Sequence, residues 1–125
     1  MDNEFIITFE GDYIKVHSNG DKDLEFSTRQ WTAVVEACRA HDCFRVLGIG
    51  NTTKPQETMD GFEHARLWRE LGIDSKYRIA WVELNPEAVD AVYFIETVLY
   101  NRGLRVRLFP TEDEAKDWLL SGDKS

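Results

Sequence analysis

The sequence predicts one α/β domain with its elements in the order ββαβαβαβα and a five-stranded mixed sheet. Three observations lead there. The runs Phe5-Ile-Ile-Thr-Phe9 and Tyr13-Ile-Lys-Val-His17 read as strands, and Glu10-Gly-Asp12 between them reads as the turn of a hairpin. Strand-like apolar runs then alternate with helical stripes, a pattern of parallel strands joined by right-handed crossovers. Finally, the chain is 125 residues long and 42% hydrophobic, enough for one core. No linker, repeat or low-complexity segment divides it, so residues 1–125 form a single domain.

Each element has a local cause. In the second strand Ile14 and Val16 alternate with Lys15 and His17. Asn19-Gly20 reads as a further turn, and Asp23 to Phe26 as a short extended piece. Ser27-Thr-Arg-Gln30 has the spacing of a capping box, in which the hydroxyl accepts from the N3 amide and Gln30 reaches back. Trp31, Val34, Val35 and Cys38 follow at i, i+3, i+4 and i+7, the stripe of an amphipathic helix ending near His41. Phe44 to Gly50 is largely apolar on both faces, as a central strand covered on two sides requires. Asn51 to Gln56 reads as a polar loop, and a second helix runs from about Pro55 to Leu71, with Gly72 as its stop. Thr53-x-x-Gln56 is able to start that helix.

Tyr77 to Leu84 forms the fourth strand. Asn85-Pro86 supplies an N-cap followed by proline at the first helical position. The third helix covers about 86–102 and stops at Gly103. Leu104, Val106 and Leu108 alternate with Arg105 and Arg107, so the fifth strand has one wet face. Thr111-Glu-Asp-Glu114 is a second capping box, and Ala115, Trp118 and Leu119 form the inner stripe of a short last helix.

The net charge of −8 is unevenly placed. Residues 1–27 hold seven acids against two bases, and residues 111–125 hold five against two, while residues 28–110 are neutral. A nucleic-acid binder needs clustered Lys and Arg to neutralise phosphates, so that role is excluded, and an anionic membrane surface is disfavoured for the same reason. No apolar run approaches the ~18 residues of a membrane span. The opening Met-Asp-Asn-Glu lacks the basic segment of a signal peptide, so a cytoplasmic protein is expected. The acidic ends serve solubility, or a basic partner.

No motif for catalysis converges. The histidines, His17, His41 and His64, form no helical metal pair. His41 falls near Cys38 and Cys43, but no second ligand pair completes a metal site, and no metal or other cofactor is expected. A Cys–His nucleophile there lacks a base orienter and an oxyanion site. Gly48-Ile-Gly-Asn-Thr-Thr-Lys54 resembles a phosphate loop but lacks both the third glycine of the dinucleotide pattern and the Gly-Lys-Ser/Thr of the mononucleotide one. The loop still leaves the C-terminal end of a central parallel strand, the edge where ligands of open α/β sheets bind. Asn51, Thr52, Thr53 and Lys54 are therefore the polar site candidates.

Two helices carry more apolar surface than one sheet contact can bury. Met59, Phe62, Ala65, Trp68 and Leu71 recur every three residues, so they spread over about 240° of the second helix. A single buried stripe is about 100° wide. Met59 and Phe62 are assigned to the sheet, with Leu67, Trp68 and Leu71 facing elsewhere; Gly61 permits close packing or a bend. The third helix has an inner stripe of Ala88, Ala91, Val92, Ile95, Val98 and Leu99 and a second one of Val89, Tyr93 and Tyr100, with Phe94 on another side. These extra faces suit a contact surface, in the simplest case a homodimer, or an apolar ligand site.

The hairpin-then-αβ order, the strand Arg78-Ile-Ala-Trp-Val82 and the ending Val106-Arg-Leu-Phe-Pro-Thr-Glu-Asp-Glu-Ala-Lys-Asp-Trp-Leu119 resemble the SpoIIAA-like family of small bacterial proteins. In that family a last strand ends in Phe, followed by acids and Ala-x-x-Trp-Leu; here these are Phe109, Glu112 to Glu114, Ala115, Trp118 and Leu119. The resemblance spans nearly the whole chain. It extends to the STAS domains of sulfate transporters and anti-sigma-factor antagonists, and remotely to the CRAL-TRIO lipid carriers. It implies helices mainly on one face of the sheet and no catalysis. The antagonists carry a phosphorylatable Ser after an Asp where this chain has Asn51-Thr52-Thr53, a departure that counts against a kinase-driven switch. The expected function is a non-catalytic STAS-like binding domain working through protein contacts on its helical face. The alternative is a carrier or sensor of a small apolar ligand, with Met59, Phe62, Trp68, Tyr93, Phe94 and Tyr100 as the apolar candidates for ligand or partner.

Overall fold

The computed structural model describes residues 4–21, 23–53 and 60–121. Its strands are β1 (Glu4–Phe9), β2 (Ile14–Asp21), β3 (Arg45–Thr53), β4 (Arg78–Glu83) and β5 (Arg105–Phe109), and they lie side by side in that order. β1 pairs antiparallel with β2, and every later pair is parallel. The helices are α1 (Leu24–His41), α2 (Gly61–Leu71), α3 (Val89–Asn101) and α4 (Glu112–Leu119), with a 3-10 turn at Pro86–Ala88 before α3.

This order dictates the layers. Right-handed crossovers that step across a sheet in one direction place their helices on one face. α1, α2 and α3 accordingly share a core with Ile14, Val16, Val46, Ile79, Trp81 and Val106. α4 follows the last strand, outside any crossover, and covers the opposite face with Ala115 and Leu119 against Leu47, Ile49, Ala80 and Val82. The two-residue period of the strands sends 46 and 79 to one core and 47 and 80 to the other.

Trp81 sets the spacing between the sheet and the three helices. Its indole fills the space beside β3 where side chains of residues 48 and 50 would stand: a Cβ on Gly50 would lie 2.7 Å from the ring, and one on Gly48 would overlap it. The two glycines that resemble a phosphate loop thus serve the core. Trp31 of α1 stands 6.0 Å from Trp81 and 4.8 Å, edge to face, from Trp68 of α2. Gly61 has the same role between helices. A Cβ there would meet the Val98 side chain at 2.8 Å, so the glycine allows α2 to approach α3 closely.

The structure corrects several expected boundaries. Asn19-Gly20 is no turn: β2 runs through it, Gly20 adopts φ 136° and pairs with Thr52, and glycine tolerates that dihedral. α1 begins at Leu24 rather than after Ser27. Asp23 is its N-cap and accepts from the Phe26 N–H at 2.9 Å. The expected extended piece is the first helical turn, held by Phe26, which is buried against Phe5. Gln30 lies inside the helix and caps nothing. Asn51, Thr52 and Thr53 are the last residues of β3, not a loop, and they pair with Asn19, Gly20 and Asp21.

α2 starts at Gly61 under a capping box of Asp60 and Glu63, while Thr53 remains in the sheet. The expected stretch from Pro55 to Met59 lies outside the described residues. The assigned faces of α2 are also reversed. Trp68 and Leu67 are buried, whereas Phe62 is exposed.

Gly48→Ala is expected to cost about 1–3 kcal/mol or more through overpacking against Trp81. Urea denaturation checks this, and the same substitution made in a Trp81→Leu background should cost less, because the clashing ring is gone.

Candidate functional site

At the C-terminal ends of β3 and β4 the polar residues engage one another. Glu83 is buried, and its carboxylate accepts from the Thr52 N–H and the Thr52 hydroxyl, each at 2.8 Å, and from the Asn85 N–H at 3.3 Å. The Asn85 side chain donates to the Thr52 carbonyl at 2.6 Å and accepts from the Glu87 N–H at 3.0 Å. A buried carboxylate is costly unless its oxygens are filled, and here both are. Thr52 has no exposed surface, so its hydroxyl braces the sheet end and is inaccessible to a modifying enzyme. Asn51 and Thr53 are exposed but bonded along the edge, Asn51 to Asn19 at 3.2 Å and Thr53 to Asp21. Three of the four polar candidates thus lie together; Lys54 is outside the described residues. Glu83 was missed from sequence, although an acid directly after the apolar run Ile79 to Val82 is the signal that marks it.

A cavity of about 50 Å³ lies beneath α1, α2 and α3. Its walls are Trp31, Trp68, Trp81, Ile79, Val106 and the inner stripe of α3 at Val92, Ile95 and Leu99. In this apolar lining, Oε1 of Gln30 and Nε1 of Trp68 lack a hydrogen-bond partner among the described residues. Their residues are 1% and 2% exposed. His64, also in the wall, meets the Asp60 carbonyl through Nδ1 at 2.9 Å. The wall residues that reach solvent are Glu96, Arg107 and Leu108, which places the mouth between α3 and β5. There the Glu96 carboxylate accepts from the Leu108 N–H at 2.7 Å.

Of the apolar candidates, Trp68 lines this cavity and belongs to the core. Phe62, Phe94, Tyr93 and Tyr100 lie on the outside, between 47% and 67% exposed. Phe62 and Phe94 meet edge to face at 5.9 Å, with the Arg102 guanidinium 5.4 Å from the Phe62 ring. Tyr93 and Tyr100 are seven residues apart and share one face of α3. Met59 lies outside the described residues.

The cysteines are both free thiols. Burial, with a smaller contribution from Cys43, pushes the Cys38 thiol up to about 12, where it is a poor nucleophile. The His41 ring stacks on Phe9 at 4.1 Å, and the Cys43 thiol donates to the Asp12 carbonyl at 3.5 Å. Among the described residues no three His, Cys, Asp or Glu side chains gather as a metal set, and no helix is long and apolar enough to cross a membrane. Lys15 on β2 pairs with Glu112 at the start of α4, 2.8 Å apart. The hydrogen bond that Lys15 donates to the Glu112 carboxylate raises the Lys15 pKa.

Thr52→Val keeps the shape and removes the hydroxyl from Glu83. It is expected to cost about 1–3 kcal/mol in thermal or urea unfolding, against about 0.5 kcal/mol or less for Thr53→Val. A thiol reagent near neutral pH should label Cys43 but not Cys38 in the folded chain, and both in urea. Equal labelling of the two in the folded chain contradicts the burial of Cys38.

No protein-family model matches the sequence, and no curated protein matches it at a significant level. Among solved structures, the chain is similar to an uncharacterized protein from the DUF3478 family with a SpoIIAA-like fold, from Shewanella loihica PV-4. The TM-score is 0.59 at 16% identity, over 95% of this chain and 96% of that one. With five strands in sequential order, three helices on one face and a fourth on the other, the chain has a SpoIIAA-like fold.

Proposed function

We propose that this chain is a non-catalytic binding domain that acts through protein contacts on the outer face of α2 and α3, first of all with a second copy of itself. The observation that carries this reading is the exposed aromatic set Phe62, Phe94, Tyr93 and Tyr100. Exposed large aromatics mark interaction surfaces, where they bury much area at low entropic cost. The neutral, buried thiol of Cys38 and the stacking of His41 on Phe9 support a role without catalysis. The free cysteines are consistent with work in the cytoplasm.

A second reading is a carrier or sensor of a small, largely apolar ligand. The cavity beneath the helices favours it, since ligand sites are concave, mostly apolar and furnished with a few polar groups.

For the contact surface, sedimentation velocity across the micromolar range should give twice the 14.5 kDa chain mass. The Tyr93→Ser/Tyr100→Ser double variant should sediment as a monomer with an unchanged melting temperature. A wild-type chain that is monomeric throughout, and that shows no Tyr93- and Tyr100-dependent capture of another protein, overturns this reading.

A further inference from the structure

We infer that the cavity beneath α1, α2 and α3 is a head-group site for a small uncharged amphiphile, whose hydroxyl bonds Gln30 and Trp68 while its chain leaves between α3 and β5. The inference rests on the ligand reading above and names the ligand's chemistry. Buried polar atoms are nearly always paired, and the exceptions need an explanation. Here Oε1 of Gln30, an acceptor, and Nε1 of Trp68, a donor, fall in the wall of the same cavity and have no partner among the described residues. A hydroxyl complements both, because it donates one hydrogen bond and accepts others.

The charge of the head group follows from the walls. The deep lining is apolar or neutral apart from His64, which is engaged with the Asp60 carbonyl. The charged wall residues, Glu96 and Arg107, stand at the mouth. A carboxylate or ammonium head would lie buried without a counter-ion, which is strongly unfavourable. Size sets the rest. About 50 Å³ compares with the ~10–15 Å³ that one water needs on the same measure, so the cavity takes a head group and its first carbons. The remaining chain leaves at the mouth beside Leu108, where the Leu108 N–H donates to Glu96.

The test compares isomers. 1-Hexanol, methyl pentyl ether and hexanoate are titrated into the whole chain near neutral pH, followed by calorimetry and by the fluorescence of the cavity tryptophans. Hexanol is expected to bind about tenfold tighter than the ether, which cannot donate to Gln30, and tighter than hexanoate. Gln30→Met should remove the preference for hexanol over the ether, and Trp68→Phe should weaken hexanol. The isomer comparison on the unaltered chain stands alone if either variant fails to fold. Equal binding of hexanol and ether overturns the head-group inference but leaves the ligand reading in place. Binding of none of the three, or a crystal soaked in hexanol that shows water on Gln30 and Trp68, overturns both.

Discussion

The fit of one indole over two glycines governs this molecule. Trp81 points from β4 toward the helices and leans across β3, where Gly48 and Gly50 leave it room. The ring then supports Trp31 of α1, and Trp31 supports Trp68 of α2. A chain of three tryptophans thereby relates the sheet to two helices. Large rigid rings cannot close every gap between curved surfaces, so a cavity remains among them. The same residues that hold the layers together also create an apolar hollow, with Oε1 of Gln30 and Nε1 of Trp68 unpaired among the described residues in its wall.

The C-terminal edge of the sheet shows a different solution. In many open α/β sheets this edge binds ligands, because strand ends and helix starts leave backbone groups free. Here Glu83 satisfies Thr52, Asn85 satisfies the Thr52 carbonyl, and β2 extends alongside β3 to its last residue. The groups that would meet a ligand are spent on one another. The carboxylate replaces the anion that such an edge binds elsewhere, and the helix starts that follow carry Glu87 and Glu112 besides.

α3 links the two surfaces that remain. Its inner stripe, Val92, Ile95 and Leu99, walls the cavity, and Tyr93 and Tyr100 occupy its outer face. Glu96, between these faces, bonds the backbone of the edge strand β5. That bond also blunts an exposed strand edge, which would otherwise offer its N–H groups to another chain.

The order of elements, the hairpin, the α3 stripe and the cap of α4 at Thr111 were legible in the sequence, because each depends on neighbours within a few residues. Period-two and helical spacing report which face is apolar, and capping residues report where a helix starts. The start of α1 was misread because Asp23 and Ser27 are both good caps. Only the burial of Phe26 against Phe5 chooses between them. Asn51-Thr52-Thr53 has a loop's composition, yet it is a strand because β2 supplies partners that lie over thirty positions away. The sequence by itself determined the architecture, since that follows from local pattern. Tertiary structure alone decided that Trp68 is core and Phe62 surface, that Gly48 and Gly50 serve Trp81, and that Gln30 ends unpaired in a cavity. These outcomes depend on which distant side chains arrive at the same place, and no local spacing encodes that.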